Sequence, residues 1–219
     1  MTNLQPNVPH YSTRRMHAVE KHFTRHVAAQ RSVFHELKSK HVHIDVHIVG
    51  PTDSHPFWLL FTTGMSMRPM TVPAGAEANR FAELAMLLPP AWPQAIASWT
   101  ASPQWSWPLK WLVDLARLPH AQRTFLGFGH TVPNGHPPTP IDASARFGGV
   151  MIGPSVSLPD EAQKIQDGDQ TIDLLTVWPI HIDEMFFKLA RCSHELFACF
   201  EEVGVSDIVD PGRPSVFGQ

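Results

Sequence analysis

Apolar positions near the start of the chain recur at steps of three and four residues, with charged residues and histidines between them. They are Met16, Val19, Phe23, Val27, Phe34 and Leu37. This spacing matches the period of about 3.6 residues per helical turn and places the apolar side chains on one face. The pattern therefore predicts an amphipathic helix from Arg14 to Leu37, after an N-terminal tail over residues 1–12.

The pattern then changes to an alternation of aliphatic and polar residues over Val42–Val49, which Gly50 and Pro51 bring to an end. A period of two is typical of a β-strand, because successive side chains point to opposite faces. Short apolar segments bounded by proline, glycine or polar residues predict further strands. They are Phe57–Thr63, Phe81–Leu88, Thr124–Phe128 and Thr171–Trp178.

Helical spacing returns in two later segments. The first, Leu109–Leu118, is predicted to end before Pro119, because proline interrupts the helical hydrogen bonds. The second is a final helix, one face of which carries Met185, Leu189, Cys192, Leu196, Phe200 and Val203. Residues 133–140 contain several prolines and predict a loop, and residues 204–219 predict a loose C-terminal tail.

The order of these elements indicates the fold class. Helix, strands, helix, strand and helix follow one another without the regular βα alternation that builds a parallel sheet. The sequence shows neither an internal repeat nor a flexible linker. We therefore predict one α+β domain over residues 13–203, with a mixed, largely antiparallel sheet flanked by helices.

Composition and charge exclude several classes of function. Hydrophobic residues make up 43% of the chain and charged residues 17%, so the chain can fold as a globule. The net charge is -3, and no run of lysine or arginine is longer than Arg14-Arg15, which argues against nucleic-acid binding. The longest apolar run, Phe57–Phe61, is much shorter than the about 20 residues that span a bilayer, so no membrane association is expected.

The N-terminal segment and the cysteines favour a cytoplasmic location. Residues 1–11 contain neither the charged nor the apolar region of a signal peptide. Cys192 and Cys199 occupy one predicted helix at positions about 10 Å apart along its axis, whereas a disulfide needs Cα atoms within about 7 Å. Two free thiols suit a reducing compartment.

A set of short motifs carries further information. The most specific is Thr62-Thr63-Gly64-Met65-Ser66, followed by Pro69-Met70. The others are His43-Ile44-Asp45-Val46, Glu83-Leu84, Leu88-Pro89 with Trp92, Trp107-Pro108, Gly129-His130-Thr131, and Val177-Trp178-Pro179-Ile180 with Asp183-Glu184. In order and spacing they resemble the suppressor of fused family, whose central turn has the sequence glycine-methionine-serine. The resemblance extends from about His41 to Val203.

This resemblance implies an α/β domain that binds proteins. Animal members of the family sequester transcription factors of Hedgehog signalling, and bacterial members are associated with immunity to toxins. The chain has no room for the second domain of the animal proteins, whose peptide lies between the two domains, so the resemblance favours a bacterial, single-domain type. We predict a cytoplasmic, non-enzymatic protein without a cofactor, whose partner is another protein, with a toxin as the candidate.

The predicted protein-binding surface combines residues of these motifs with tryptophans, whose indole rings supply large contact areas. Its residues are Asp45, Trp58, Thr63, Met65, Ser66, Trp105, Trp107 and His130. Two assignments stay open. The tryptophans, with Trp92, Trp99 and Trp111, are equally suited to anchor the core, and His130 is equally suited to a buried, hydrogen-bonded role.

The turn also contains Gly-x-Ser, the start of a serine-hydrolase motif. Arg68 occupies the place of the second glycine of that motif, so a nucleophile elbow is not expected. A structural turn is favoured instead, in which Gly64 adopts a positive φ and Thr63 and Ser66 satisfy backbone groups.

A row of polar residues on the first predicted strand is the best candidate for a metal site. His41, His43, Asp45 and His47 alternate along the strand and project from one face, but the row is too spread out for all four to bind one ion. The alternative function is therefore a metal-dependent hydrolase built on His43, Asp45 and His130, with His41 or His47 completing the shell. A further alternative is a scaffold that binds a peptide as an added strand at a sheet edge.

Overall fold

The structure is a computed structural model that describes residues 11–35 and 42–218. The α-helices of this part of the chain are α1 (Tyr11–His26), α2 (Pro103–Gln122), α3 (Ile182–Ala190) and α4 (Ser193–Val203). Its strands are β1 (Ser32–His35), β2 (Asp45–Val49), β3 (Trp58–Thr63), β4 (Ala82–Leu88), β5 (Thr131–Pro133), β6 (Gly149–Gly153), β7 (Lys164–Asp167) and β8 (Gln170–Ile180).

The strands form one mixed sheet. Seven of them follow the order β1-β2-β3-β4-β8-β6-β5, and β7 pairs with the first part of β8. The pairing of β4 with β8 is parallel, and the other pairings of these strands are antiparallel. The predicted α+β class, with a mixed and largely antiparallel sheet in a single domain, is confirmed.

Helices cover both faces of this sheet. On one face α2 packs over a cluster that includes Trp58, Leu84 and Leu112. On the other face α1 packs over a cluster that includes Phe23 and Phe61. Because both faces are covered, β2, β3 and β4 are buried along their whole length. The helices α3 and α4 cover β6 and the second half of β8 with a third cluster.

Four of the five predicted strands are present, as β2, β3, β4 and β8, within three residues of the predicted limits. The fifth, Thr124–Phe128, is irregular. Its backbone makes isolated contacts in place of a ladder, since the Thr71 N–H donates to the Thr124 carbonyl and the Leu126 N–H is directed at the Met70 sulfur. The remaining strands, β1, β5, β6 and β7, have five residues or fewer and lie outside the segments from which strands were predicted.

The first helix is shorter than the sequence predicted. It ends at His26, and the chain then turns so that Ser32–His35 pair with Asp45–Ile48 as strand β1. Phe34, which the helical spacing placed on the helix, instead packs against the cluster on the α2 side of the sheet. Leu37 and His41 lie outside the described residues.

The later helices also differ from the prediction. α2 continues through Pro119 to Gln122, and Arg123, which follows it, adopts a left-handed conformation with φ 53°. The predicted final helix is divided, because Cys192 is extended and separates α3 from α4. This break allows Phe200 of α4 to stack on Trp178 of β8 at 5.9 Å. The described helices include none that is long and apolar enough to cross a membrane.

The segment after α4 is held against the domain, whereas the sequence predicted a loose tail. The Val209 N–H donates to the Leu87 carbonyl at 2.9 Å. Asp207 is buried and accepts hydrogen bonds from the hydroxyls of Ser155 and Ser157. These polar contacts over a long sequence separation could not be inferred from the proline- and glycine-rich composition.

Candidate functional site

The turn between β3 and β4 requires glycine at its first position. Gly64 has φ 113°, and a Cβ atom at this position would lie 1.9 Å from the carbonyl oxygen of His43. A side chain is therefore excluded both by the backbone conformation and by the neighbouring strand. Residues Met65–Met67 then form one turn of 3-10 helix, in which Met65 and Ser66 are buried. The positive φ predicted for Gly64 is present. The hydroxyls of Thr63 and Ser66, which were predicted to satisfy backbone groups, instead contact the side chains of His47 and Glu83.

The carboxylate of Glu83 organises the turn from within. Its two oxygens accept hydrogen bonds from the Thr62 hydroxyl at 2.7 Å, the Gly64 N–H at 3.1 Å, and the Ser66 N–H and hydroxyl at 3.0 and 2.6 Å. Glu83 is fully buried, and this burial raises the pKa of its carboxyl group to about 7, against the opposing effect of the Ser66 and Thr62 hydrogen bonds. This function of Glu83 was not predicted from the sequence, in which the residue belonged only to a motif.

Two helices hold the turn from outside. Arg15 of α1 donates to the Ser66 carbonyl at 2.7 Å and pairs with Asp167 at 2.8 Å. A ring nitrogen of His120 in α2 lies 2.9 Å from the Met65 carbonyl oxygen. The turn is thus fixed by α1, α2 and β4 together, and its serine hydroxyl is committed to Glu83. Ser66 is therefore not available as a nucleophile in this structure.

The next polar pair, His47 and Thr63, is also in the interior. The Nε2 atom of His47 lies 2.9 Å from the Thr63 hydroxyl, and its Nδ1 atom lies 2.5 Å from the side-chain oxygen of Gln30. The imidazole stacks on Phe61 at 4.7 Å. Burial lowers the pKa of His47 to about 4, and the charge of Asp45 opposes this shift. His47 is consequently a neutral, hydrogen-bonded core residue.

Asp45, the first residue of β2, lies between two histidines. Its Oδ1 atom is 3.0 Å from Nδ1 of His35 and 3.1 Å from Nε2 of His43. One candidate ligand atom from each of the three side chains lies within 4.8 Å of the others. His35 was not among the predicted ligands, because the helical spacing placed it in the first helix.

The structure does not bring His130 to this cluster. His130 precedes β5, which lies at the opposite edge of the sheet from β1, and its ring contacts Phe125 at 4.7 Å. The set His43, Asp45 and His130, on which the predicted hydrolase alternative depended, is therefore not assembled. His47 does not complete it either, because its ring nitrogens face Gln30 and Thr63.

Most of the tryptophans belong to the core. Trp58, Trp92, Trp99 and Trp107 are buried, and their rings form a series of edge-to-face contacts such as that of Trp58 with Trp99 at 5.3 Å. Trp105 is half-buried at the edge of this group, 4.9 Å from Trp92. The buried tryptophans therefore anchor the core. Trp105 keeps part of its ring accessible to solvent.

An apolar surface is present on α3 instead. Phe186 and Leu189 are 56% and 63% exposed, and they follow Ile182 at helical spacing. We call these three residues the α3 face. A groove of about 910 Å³ runs beside it, between Arg146 and the C-terminal segment. Exposed apolar residues in a row mark an interaction surface more often than isolated ones do.

The sequence model of the family described as Suppressor of fused protein (SUFU) matches residues 40–214. The chain belongs to the SUFU family. The match begins just before β2 and extends through the segment that follows α4, so the resemblance that the motifs indicated is confirmed. No curated protein sequence matches the chain.

Solved structures of SUFU proteins share the fold. A SUFU homologue from Neisseria gonorrhoeae superimposes with a TM-score of 0.66 at 17% identity, over 95% of this chain and 98% of that chain. A chain of the Sufu-Fu complex gives 0.64 at 14% identity, over 92% of each chain. Drosophila Suppressor of Fused gives 0.54 at 15% identity, over 80% of this chain and 43% of its own length.

Proposed function

We propose that this SUFU-family chain is a non-catalytic protein-binding domain that holds its partner in a stoichiometric complex. The α3 face carries the proposal, because it leaves Phe186 and Leu189 exposed on an ordered helix that is otherwise packed against the sheet. An exposed row of large apolar side chains is unfavourable in water and becomes favourable when a partner covers it.

Two further observations support binding in place of catalysis. The residues of the Gly-x-Ser turn are engaged with Glu83, and the residues of the predicted hydrolase set lie at opposite edges of the sheet. One of the similar structures is that of Sufu in a complex with Fu. Trp105 and His130, each partly accessible, remain candidate contact residues.

The proposed partner is another protein, and a toxin is the proposed class, which would make this chain an immunity protein. The resemblance to bacterial members of the family supports this part of the proposal. We propose a cytoplasmic location and binding without a cofactor, a nucleic acid or a membrane. The net charge of -3 and the scarcity of clustered lysine and arginine favour a protein partner over a nucleic acid.

The α3 face gives the proposal a direct test. Tagged wild-type chain and the double variant Phe186→Ser/Leu189→Ser would be purified from the native cells through a moderate salt wash, and the retained proteins quantified by mass spectrometry. We expect the wild type to retain one protein in near-equal amount. The double variant should retain at least about 10-fold less, since truncation of central apolar contacts costs about 2 kcal/mol or more.

A matched control is Val203→Ser, which removes an equally exposed apolar side chain from α4. This variant should retain the partner as the wild type does. Recovery of the wild-type chain alone would contradict the binding function, and equal retention by the double variant would exclude the α3 face as the contact surface. A retained protein that inhibits growth when produced alone, but not with this chain, would establish immunity; a harmless one would exclude it.

A further inference from the structure

The three polar residues around Asp45 are brought together by strand geometry. His35 is the last residue of β1 and the cross-strand partner of Asp45. His43 precedes Asp45 by two residues. Because side chains at cross-strand positions and at two-residue spacing project from the same face, all three meet at the end of β1 and β2 that the connecting loop joins.

Their donor atoms suit a transition-metal ion. Two imidazole nitrogens and one carboxylate oxygen are ligands that zinc commonly takes in proteins. Zinc binds such atoms at about 2.0–2.2 Å, so the ligand atoms around a tetrahedral ion lie about 3.3–3.5 Å apart. The distances of 3.0 and 3.1 Å from Asp45 to the two rings are close to this spacing. The three ligand atoms lie within 4.8 Å of one another.

Burial within the cluster is asymmetric. The side chain of Asp45 is 8% exposed, whereas those of His35 and His43 are 67% and 51% exposed. The carboxylate is thus held in the sheet, and the two rings stand at the surface where an ion can enter. A tetrahedral ion on three protein ligands keeps a fourth position for water.

We propose that His35, His43 and Asp45 form a binding site for a divalent transition-metal ion, with zinc as the preferred ion and the fourth position open to water. This site is separate from the α3 face and does not depend on the proposed protein-binding function. Since His35 belongs to β1 and the other two ligands to the β2 side, the bound ion links the edge strand to the sheet.

Calorimetric titration of the metal-free full-length protein with zinc chloride tests the site. We expect one zinc ion per chain for the wild type. His35→Gln and Asp45→Asn should each weaken zinc binding by more than about 10-fold. Mutation of a residue that only hydrogen-bonds to a metal ligand already causes a loss of about this size. His194→Gln, which changes an exposed histidine on α4, is the matched control and should bind as the wild type does.

Cobalt substitution supplies a second readout. The absorption spectrum of the cobalt-loaded wild type should show the intense visible bands of a four-coordinate ion, and the His35→Gln and His43→Gln variants should lose them. Circular dichroism of the metal-free variants checks that each one is folded, which the surface position of both rings favours. Zinc binding of equal strength in the wild type and in the folded ligand variants, or no binding to the wild type, would overturn the site.

Discussion

Glu83 is a residue that normally carries a charge, yet it lies wholly in the interior beneath the turn. Its carboxylate satisfies two backbone N–H groups and two hydroxyls that would otherwise be buried without partners. Burial nevertheless makes the charged form costly, and this cost raises the pKa of Glu83 to about 7. The residue therefore couples the stability of the turn to pH.

The direction of the pKa shift of Glu83 determines whether stability rises or falls with pH. The pKa of Glu83 is raised from 4.5 to about 7 in the folded chain, so the folded state keeps its proton over a range in which the unfolded state has lost it. The free energy of unfolding contributed by this group therefore falls as pH rises from about 4.5 to about 7, by at most about 3 kcal/mol.

We predict that this contribution disappears in Glu83→Gln. The amide oxygen can accept the hydrogen bonds from Gly64 and Ser66, and the amide NH2 group can face the Thr62 hydroxyl, so the variant should fold. Urea unfolding of both proteins at several pH values measures the difference, and contributions of other groups, including His47, cancel in it. A difference that stays constant between pH 4.5 and 7 would show that Glu83 does not titrate in this range.

At the scale of elements, the turn Gly64–Met67 is the feature that sequence reasoning described best. Its motif predicted a turn with a positive φ at Gly64, and the close approach of the His43 carbonyl adds a second reason for glycine. The approach could not be predicted, because it depends on how β2 and β3 lie side by side.

We predict that Gly64→Ala destabilises the protein by about 2–3 kcal/mol or more, since both the backbone conformation and the contact with His43 oppose a Cβ atom. The control is Gly168→Ala, in the β7–β8 turn, where φ is also positive but no atom lies within 4 Å of the added carbon. This control should cost only about 1 kcal/mol. Thermal unfolding of both variants measures the difference, and equal losses would contradict a steric role for the His43 carbonyl.

Other elements show where sequence patterns stop being informative. β2, β3, β4 and β8 are predictable because alternating or continuous apolar residues fill a buried sheet. β1 is not predictable, because Val27 and Phe34 continue the helical spacing of α1. The same residues are equally compatible with a helix that ends earlier and is followed by an edge strand. The error left His35 out of the predicted metal ligands. His35 lies beside Asp45, whereas the sheet order separates His130 from Asp45.

At the scale of the whole molecule, the segment after α4 completes the fold. Arg213 reaches back to Glu184 at the start of α3, with contacts of 2.5 and 2.7 Å between the guanidinium and the two carboxylate oxygens. Glu184 is fully buried and Arg213 nearly so. The pair also supports the first turn of α3, and thereby the position of the α3 face that we propose for binding.

We predict that Arg213→Ala destabilises the protein by about 3–5 kcal/mol, because removal of one partner leaves a buried charge without compensation. Arg191→Ala, which changes an exposed arginine at the end of α3, should stay within about 0.5 kcal/mol of the wild type. Chemical unfolding measures both variants. A small effect of Arg213→Ala would mean that the C-terminal segment contributes little to the domain, as its composition alone had suggested.

We propose that this SUFU-family domain acts by holding another protein. The most direct test is native mass spectrometry of the complex purified from the native cells, before and after incubation at 37 °C, a temperature at which turnover would be visible. We predict one species that contains one chain and one partner, each with an unchanged covalent mass. Recovery of the chain alone, or of a partner that has been cleaved or modified during incubation, would contradict it.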